Sequence, residues 1–236
     1  MTEPAVSTGR FRREGGLSRV IIPGVRVLSR YYFRARSVGE DRIPADQPVI
    51  YVAKHPQTFL YLETVMLALF TFWDTARPAI RVLEKTGTSI HKTPVLGWMR
   101  RNVNAVPATE AHALAVLAQG ESLLIFPGGT RELYGPRDEL RWKGRTGFAR
   151  LAIQAGVPVL PFAIAGADRQ HLGRLSIRGA SLWLPPFPLP VRLEYRFGHP
   201  MMPPAAASAD AADPAAFAGR VEAAVRALIA GGTSDG

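Results

Sequence analysis

The sequence predicts an α/β layered domain with a mostly parallel central sheet flanked by helices, preceded by an N-terminal basic amphipathic helix. The main observation is that short β-rich runs alternate with helical patterns from residue 49 onward, the signature of strand–helix–strand units. A second is composition, since 47% hydrophobic and 20% charged residues are the balance of a chain with a core to bury. The third is length, because 236 residues suit one domain better than two.

Residues 1 to 16 are polar and Gly-rich and are expected to be disordered. From Pro23, a favourable first helical residue, Val27, Leu28, Tyr31, Tyr32 and Ala35 recur at helical spacing, while Arg26, Arg30 and Arg34 form an i, i+4 row. Such a helix either lies among lipid headgroups with its arginines near phosphate or packs on the domain with a solvated charged face. The expected organisation is a basic tail and amphipathic helix over 1–40, one domain over 41–231, and a disordered tail over 232–236.

Within the domain, strands are expected at Val49 to Ala53, Ala79 to Leu83, Val103 to Val106, Ser122 to Phe126, Val157 to Ile164 and Arg192 to Phe197. Helices are expected from about Thr58, around Val95 to Arg101, near Glu110 to Ala118, at Gly147 to Gln154, and at Phe217 to Ile229. Residues 184–190, with four prolines, cannot be regular structure. The apolar run Thr58 to Trp73 falls short of the ~20 residues of a bilayer-spanning helix, and Glu63 interrupts it, so it reads as a core helix.

Charge narrows the function classes. The formal net charge is +10, and residues 1 to 40, with eight Arg and three Glu, hold half of it. Clustering of this kind suits an anionic surface, either a phospholipid bilayer or a nucleic acid. The absence of cysteine excludes disulfides, thiolate metal sites and a cysteine nucleophile. The N-terminus lacks the pattern of a signal peptide, which places the expected protein inside the cell.

Two segments carry chemistry. His55 follows a strand and precedes an apolar helix, the position where α/β folds present functional groups. A neutral imidazole there can take the proton of an alcohol attacking an acyl carbonyl. His91, His112, His171 and His199 are read as structural or surface residues. The second segment is Leu124-Ile125-Phe126-Pro127-Gly128-Gly129-Thr130-Arg131, a strand entering a turn. It is either ordinary turn chemistry or a place where glycine amides hold an anion or oxyanion, with Arg131 as a phosphate or carboxylate partner.

The order of these blocks resembles the phospholipid/glycerol acyltransferase superfamily, which includes the 1-acylglycerol-3-phosphate acyltransferases. The resemblance rests on Lys54-His55, Pro94-Val95-Leu96-Gly97-Trp98, Phe126 to Glu132 about seventy residues after the histidine, and Val159 to Ile164, and spans roughly residues 48 to 200. Two positions depart from the family pattern. Leu60 stands where an Asp follows the histidine after four residues, and Gly128 stands where the motif has Glu. The Pro-Gly-Gly form, with Trp142 to Ala149 downstream, looks more like the branch containing diacylglycerol acyltransferases. Glu63, the only charge between Lys54 and Asp74, is either a substitute carboxylate leaning toward His55 or a solvated residue.

The resemblance implies an O-acyltransferase that moves a fatty acyl group from an acyl thioester, on coenzyme A or acyl carrier protein, to a lipid alcohol. In that reading His55 is the general base with Glu63 beside it, and Gly128, Gly129, Thr130, Arg131 and Lys143 bind substrate. Lys85, Lys92, Arg100, Arg101 and Arg145 are further candidates for the donor's phosphates, with solvated surface charge as the default for each. No metal, bound cofactor or nucleic acid is expected, and the protein is expected peripherally on the cytoplasmic face of an anionic membrane. The rival readings are a non-catalytic lipid-binding relative and a basic nucleic-acid binder using Tyr31, Tyr32 and Phe33 as stacking surfaces.

Overall fold

The computed structural model describes residues 23–24, 26–57, 78–84, 105–137, 139–177, 180–185, 187–205 and 213–231. Among these, strands β1 (Arg36–Val38), β2 (Ile50–Val52), β3 (Ile80–Glu84), β4 (Ala105–Pro107), β5 (Ser122–Ile125), β6 (Val159–Ala165) and β9 (Glu194–Phe197) form one sheet in the order β1-β9-β6-β2-β5-β3-β4. The five strands from β6 to β4 run parallel; β9 opposes β6 and carries β1 parallel to itself. A separate hairpin, β7 (Gly173–Ile177) and β8 (Ala180–Leu184), lies outside it.

Alternation along the central strands supplies two cores. Ile50, Val52, Leu123 and Val159 face α1 (Glu110–Ala118), α3 (Gly147–Ala155) and α4 (Pro214–Ala230). Tyr51, Ala53, Leu124 and Leu160 face the other way, toward Phe33, Ile43, Phe162, Tyr195 and Phe197. With both faces covered, the central strands are apolar throughout, as parallel sheets require. Helix α3 is expected from its spacing and buries Phe148, Ala149, Leu151 and Ala152.

The expected strands and the helices at Glu110, Gly147 and Phe217 appear within a few residues of their places. The helices expected from Thr58 and around Val95, with Glu63, Lys85, His91, Lys92, Arg100 and Arg101, lie outside the described residues, as do residues 1–22 and 232–236. Three features differ from expectation. Strand β1 enters the sheet from within the stretch assigned to the N-terminal appendage. The second is the β7–β8 hairpin, which was not expected; the Gly-Gly turn itself lies where expected and leads into a short helix, α2 (Thr130–Leu133).

The third difference concerns the basic helix. Helical residues from Pro23 run into a π-helical turn, Leu28–Tyr32, closed by the Phe33 amide on the Leu28 carbonyl at 3.0 Å. The wider turn rotates the pattern away from 3.6 residues. Ser29 and Phe33 are the buried residues, whereas Val27 and Tyr31, on the apolar row of the expected helix, are 58% and 71% exposed. Tyr32 Oη donates to the Pro188 carbonyl at 2.8 Å and Arg34 to that of Pro190 at 2.9 Å, which ties this segment to the proline-rich stretch.

Gly166 ends β6 and launches the turn that carries Asp168. Its φ is +89°, and a Cβ there would collide with the Arg192 carbonyl oxygen. Both conditions select glycine. Gly166→Ala is expected to cost about 2–3 kcal/mol in urea denaturation.

Candidate active site

Three adjacent parallel strands, β5, β2 and β6, deliver the site from their carboxyl ends, where this architecture presents ligand-binding groups. β2 ends in Lys54-His55-Pro56-Gln57, β5 in Phe126 and the Pro-Gly-Gly turn, and β6 in the turn bearing Asp168. The His55 ring rests against Phe126, with centroids 4.9 Å apart.

His55 Nδ1 lies 2.8 Å from the Pro56 carbonyl oxygen. A carbonyl can only accept, so Nδ1 carries the hydrogen. Desolvation is the main influence on the ring and lowers its pKa to about 4; the Pro56 bond opposes it, and the Lys54 charge adds a smaller downward push. At neutral pH the imidazole is therefore uncharged, with Nε2 bare, as a proton acceptor must be. Protonation of the folded state waits until about pH 4, while the unfolded chain binds the proton near 6.5. This residue's contribution to stability is thus complete above pH 6.5 and is lost as pH falls toward 4.

Two carboxylates hold the His55 segment in place. Asp168 accepts the Gln57 amide at 3.0 Å and pairs with Lys54 Nζ at 2.7 Å. Glu132, fully buried, accepts the His55 amide at 2.7 Å and the Arg141 amide at 2.9 Å. Burial raises the Glu132 pKa, and those amide donors work against it. The Gln57 side chain completes the frame, donating to the carbonyls of Glu132 and Gly135, both at 2.7 Å.

At Gly129 the segment takes ordinary turn geometry, one of the two readings its sequence allows. The Gly129 amide closes onto the Phe126 carbonyl at 3.0 Å, so it serves the turn and cannot also face an oxyanion. Thr130, Arg131 and Lys143 are exposed on the same loops. The cation brought over the turn is Arg145, whose Nη1 donates to the Pro127 carbonyl at 3.1 Å. A cleft of about 270 Å3 opens beside Gln57, lined also by Tyr134, Arg137, Arg174 and Trp183. Arg174 lies over the Tyr134 ring, 4.6 Å from its centroid.

The structure thus joins His55, Phe126 and the Pro-Gly-Gly turn, as the sequence suggests. Sequence reasoning missed Glu132, although it closes the recognised motif, and Asp168, which follows the last recognised strand. Their signal was a charge beside a glycine at a strand's carboxyl end. His171 and His112 fill structural roles: His171 is buried with Nδ1 2.9 Å from the Pro185 carbonyl, and His112 Nδ1 meets the Thr109 hydroxyl at 2.6 Å at the start of α1. Among the described residues, no three His, Asp or Glu side chains form a group that could hold a metal ion.

The family model described as Acyltransferase matches residues 34–165, which run from the N-terminal turn to the end of β6. The chain belongs to the acyltransferase family. It is 28% identical over 219 residues to an uncharacterized protein of Mycobacterium tuberculosis, covering 84% of this chain and 60% of that protein. It therefore spans about three fifths of the length of that mycobacterial relative. A 1-acyl-sn-glycerol-3-phosphate acyltransferase of Chlamydomonas reinhardtii is 26% identical over 147 residues, covering 57% of this chain and 40% of the algal protein. The acyltransferase fold is that of the 1-acyl-sn-glycerophosphate acyltransferase PlsC of Thermotoga maritima, with a TM-score of 0.59 over 89% of this chain and 79% of that one, at 21% identity.

Proposed function

We propose that this acyltransferase is an O-acyltransferase that moves a fatty acyl group from an acyl thioester to the hydroxyl of a lysophospholipid, glycerolipid or other lipid alcohol. The observation that carries the reading is the placement of His55 at the carboxyl end of β2, against Phe126 and the strand that enters the Pro-Gly-Gly turn, with its Nδ1 hydrogen on the Pro56 carbonyl so that Nε2 is the unprotonated nitrogen. Nε2 removes the acceptor's hydroxyl proton as that oxygen attacks the thioester carbonyl. The tetrahedral intermediate collapses, the carbon–sulfur bond breaks, and the imidazolium returns the proton to the thiolate.

Arg145, held over the turn, is the cation best placed to stabilise the intermediate's oxyanion, with Arg131 and Lys143 nearby for phosphates of coenzyme A or a carrier protein. The cleft beside Gln57, with Arg137 and Arg174, suits an acceptor's polar or phosphorylated end. Support for a membrane-facing acceptor comes from exposed Val27, Tyr31, Leu172 and Phe187 together with exposed Arg26 and Arg30. Among the described residues no helix is long and apolar enough to cross a membrane. Peripheral binding at the cytoplasmic face of an anionic bilayer fits these features.

Purified protein supplied with labelled acyl-coenzyme A, or acyl carrier protein, and a panel of lysophospholipids, monoacylglycerols and diacylglycerols is expected to form a labelled ester. Mass spectrometry of the products identifies the acceptor. Absence of any ester across the panel, with donor and acceptor shown to bind, would favour a non-catalytic lipid-binding relative instead.

A further inference from the structure

The sequence leaves a gap where the acyltransferase motif has Glu, and Gly128 stands there. The space over Gly128 is taken by another residue. A Cβ built on Gly128 falls onto Cγ, Cδ and Oε2 of Glu132. Glu132, one helical turn later, occupies that space, and only glycine at 128 leaves room for its carboxylate. Gly128 and Glu132 form a linked pair.

We propose that Glu132 is the positioning residue of this site, holding the backbone amide of His55 through a carboxylate that the glycine at 128 leaves room for. The proposal rests on the reading of His55 as general base. Glu132 has no exposed surface, and its functional group is fully used: one oxygen on the His55 amide, the other on the Arg141 amide. Its main-chain carbonyl binds Gln57 Nε2. One residue therefore fixes the histidine segment, the Pro-Gly-Gly helix and the loop that leads to Arg145. A charge-assisted bond to the His55 amide sets where the ring starts from, and small displacements of a catalytic group are costly.

A residue that served folding alone would change the amount of folded protein and leave turnover per folded molecule intact. Glu132→Gln keeps the volume but turns a donor toward one of the two amides. It is expected to lower kcat about a hundredfold with KM changed less than about threefold. Gly128→Ala is expected to be at least as damaging, because its Cβ falls on the Glu132 carboxyl group and displaces it.

A Glu132→Gln protein with parental kcat per folded molecule, or a Gly128→Ala protein with parental kcat, overturns the proposal. His55→Ala, run in parallel, separates the two levels. If it stays active, the general-base reading fails and this inference with it; if it is inactive while Glu132→Gln turns over normally, Glu132 alone has been misassigned. Should the variants fail to fold, the parent protein decides by NMR. A slowly exchanging, downfield-shifted His55 amide proton is expected, and a rapidly exchanging one at an ordinary shift overturns the inference.

Discussion

Replacing His55 with alanine is expected to lower kcat for acyl transfer by about three orders of magnitude while the protein keeps its fold and its affinity for lipid. The size of the effect follows from what the residue contributes. Without Nε2 the acceptor hydroxyl must attack while still protonated, and the positioned cations nearby can stabilise charge but cannot take a proton. The fold should survive because the segment is also held by groups other than this side chain. The holding interactions of the segment come from the His55 amide, Lys54 and Gln57, which the substitution spares. Esterification by the variant, measured with its circular dichroism and melting curve, checks both halves of the expectation.

The second large effect is expected at Asp168. Its carboxylate is the partner of the Lys54 ammonium, whose side chain is only 8% exposed, and it also caps the Gln57 amide. Asp168→Ala leaves a nearly buried charge without its carboxylate, and such losses cost far more than the net worth of the pair. Because Asp168 itself is 30% exposed, water offsets part of the penalty, and the expected loss is about 2–3 kcal/mol in urea denaturation. Turnover should fall as well, since the residues flanking His55 lose one of their two carboxylate supports. Asp168→Asn, which keeps an oxygen for the Gln57 amide, should recover part of the turnover and less of the stability.

Much of this arrangement was legible in the sequence, and the parts that were not have physical reasons. Strand and helix alternation revealed the layered fold because burial on both faces makes the central strands continuously apolar. His55 and the Pro-Gly-Gly turn could be joined because their order and separation matched a known family pattern, not because either is distinctive alone. Glu132 was inside the recognised motif yet unassigned: its role depends on a three-dimensional coincidence, the vacancy above Gly128, that spacing along the chain does not express. Asp168 was missed for a similar reason, since a carboxylate after a glycine ordinarily reads as a surface turn. For the N-terminal helix the sequence left open whether its apolar row faces lipid or the domain; with the π turn at Leu28–Tyr32, Ser29 and Phe33 are buried and Val27 and Tyr31 are exposed. Pattern arguments assume 3.6 residues per turn, and a wider turn shifts the residues after it.

Leu60 stands where the family pattern has an Asp after the histidine. At His55 the Pro56 carbonyl fixes the tautomer and burial keeps the ring neutral. This has a direct kinetic consequence. The most direct measurement is the pH dependence of kcat/KM between pH 5 and 7 with a soluble short-chain acyl thioester and acceptor. A base whose pKa has fallen to about 4 is unprotonated across this range, so kcat/KM is expected to change by less than about twofold from base ionisation. A fall of about 25-fold from pH 7 to pH 5, the behaviour of an ordinary histidine, would contradict the account.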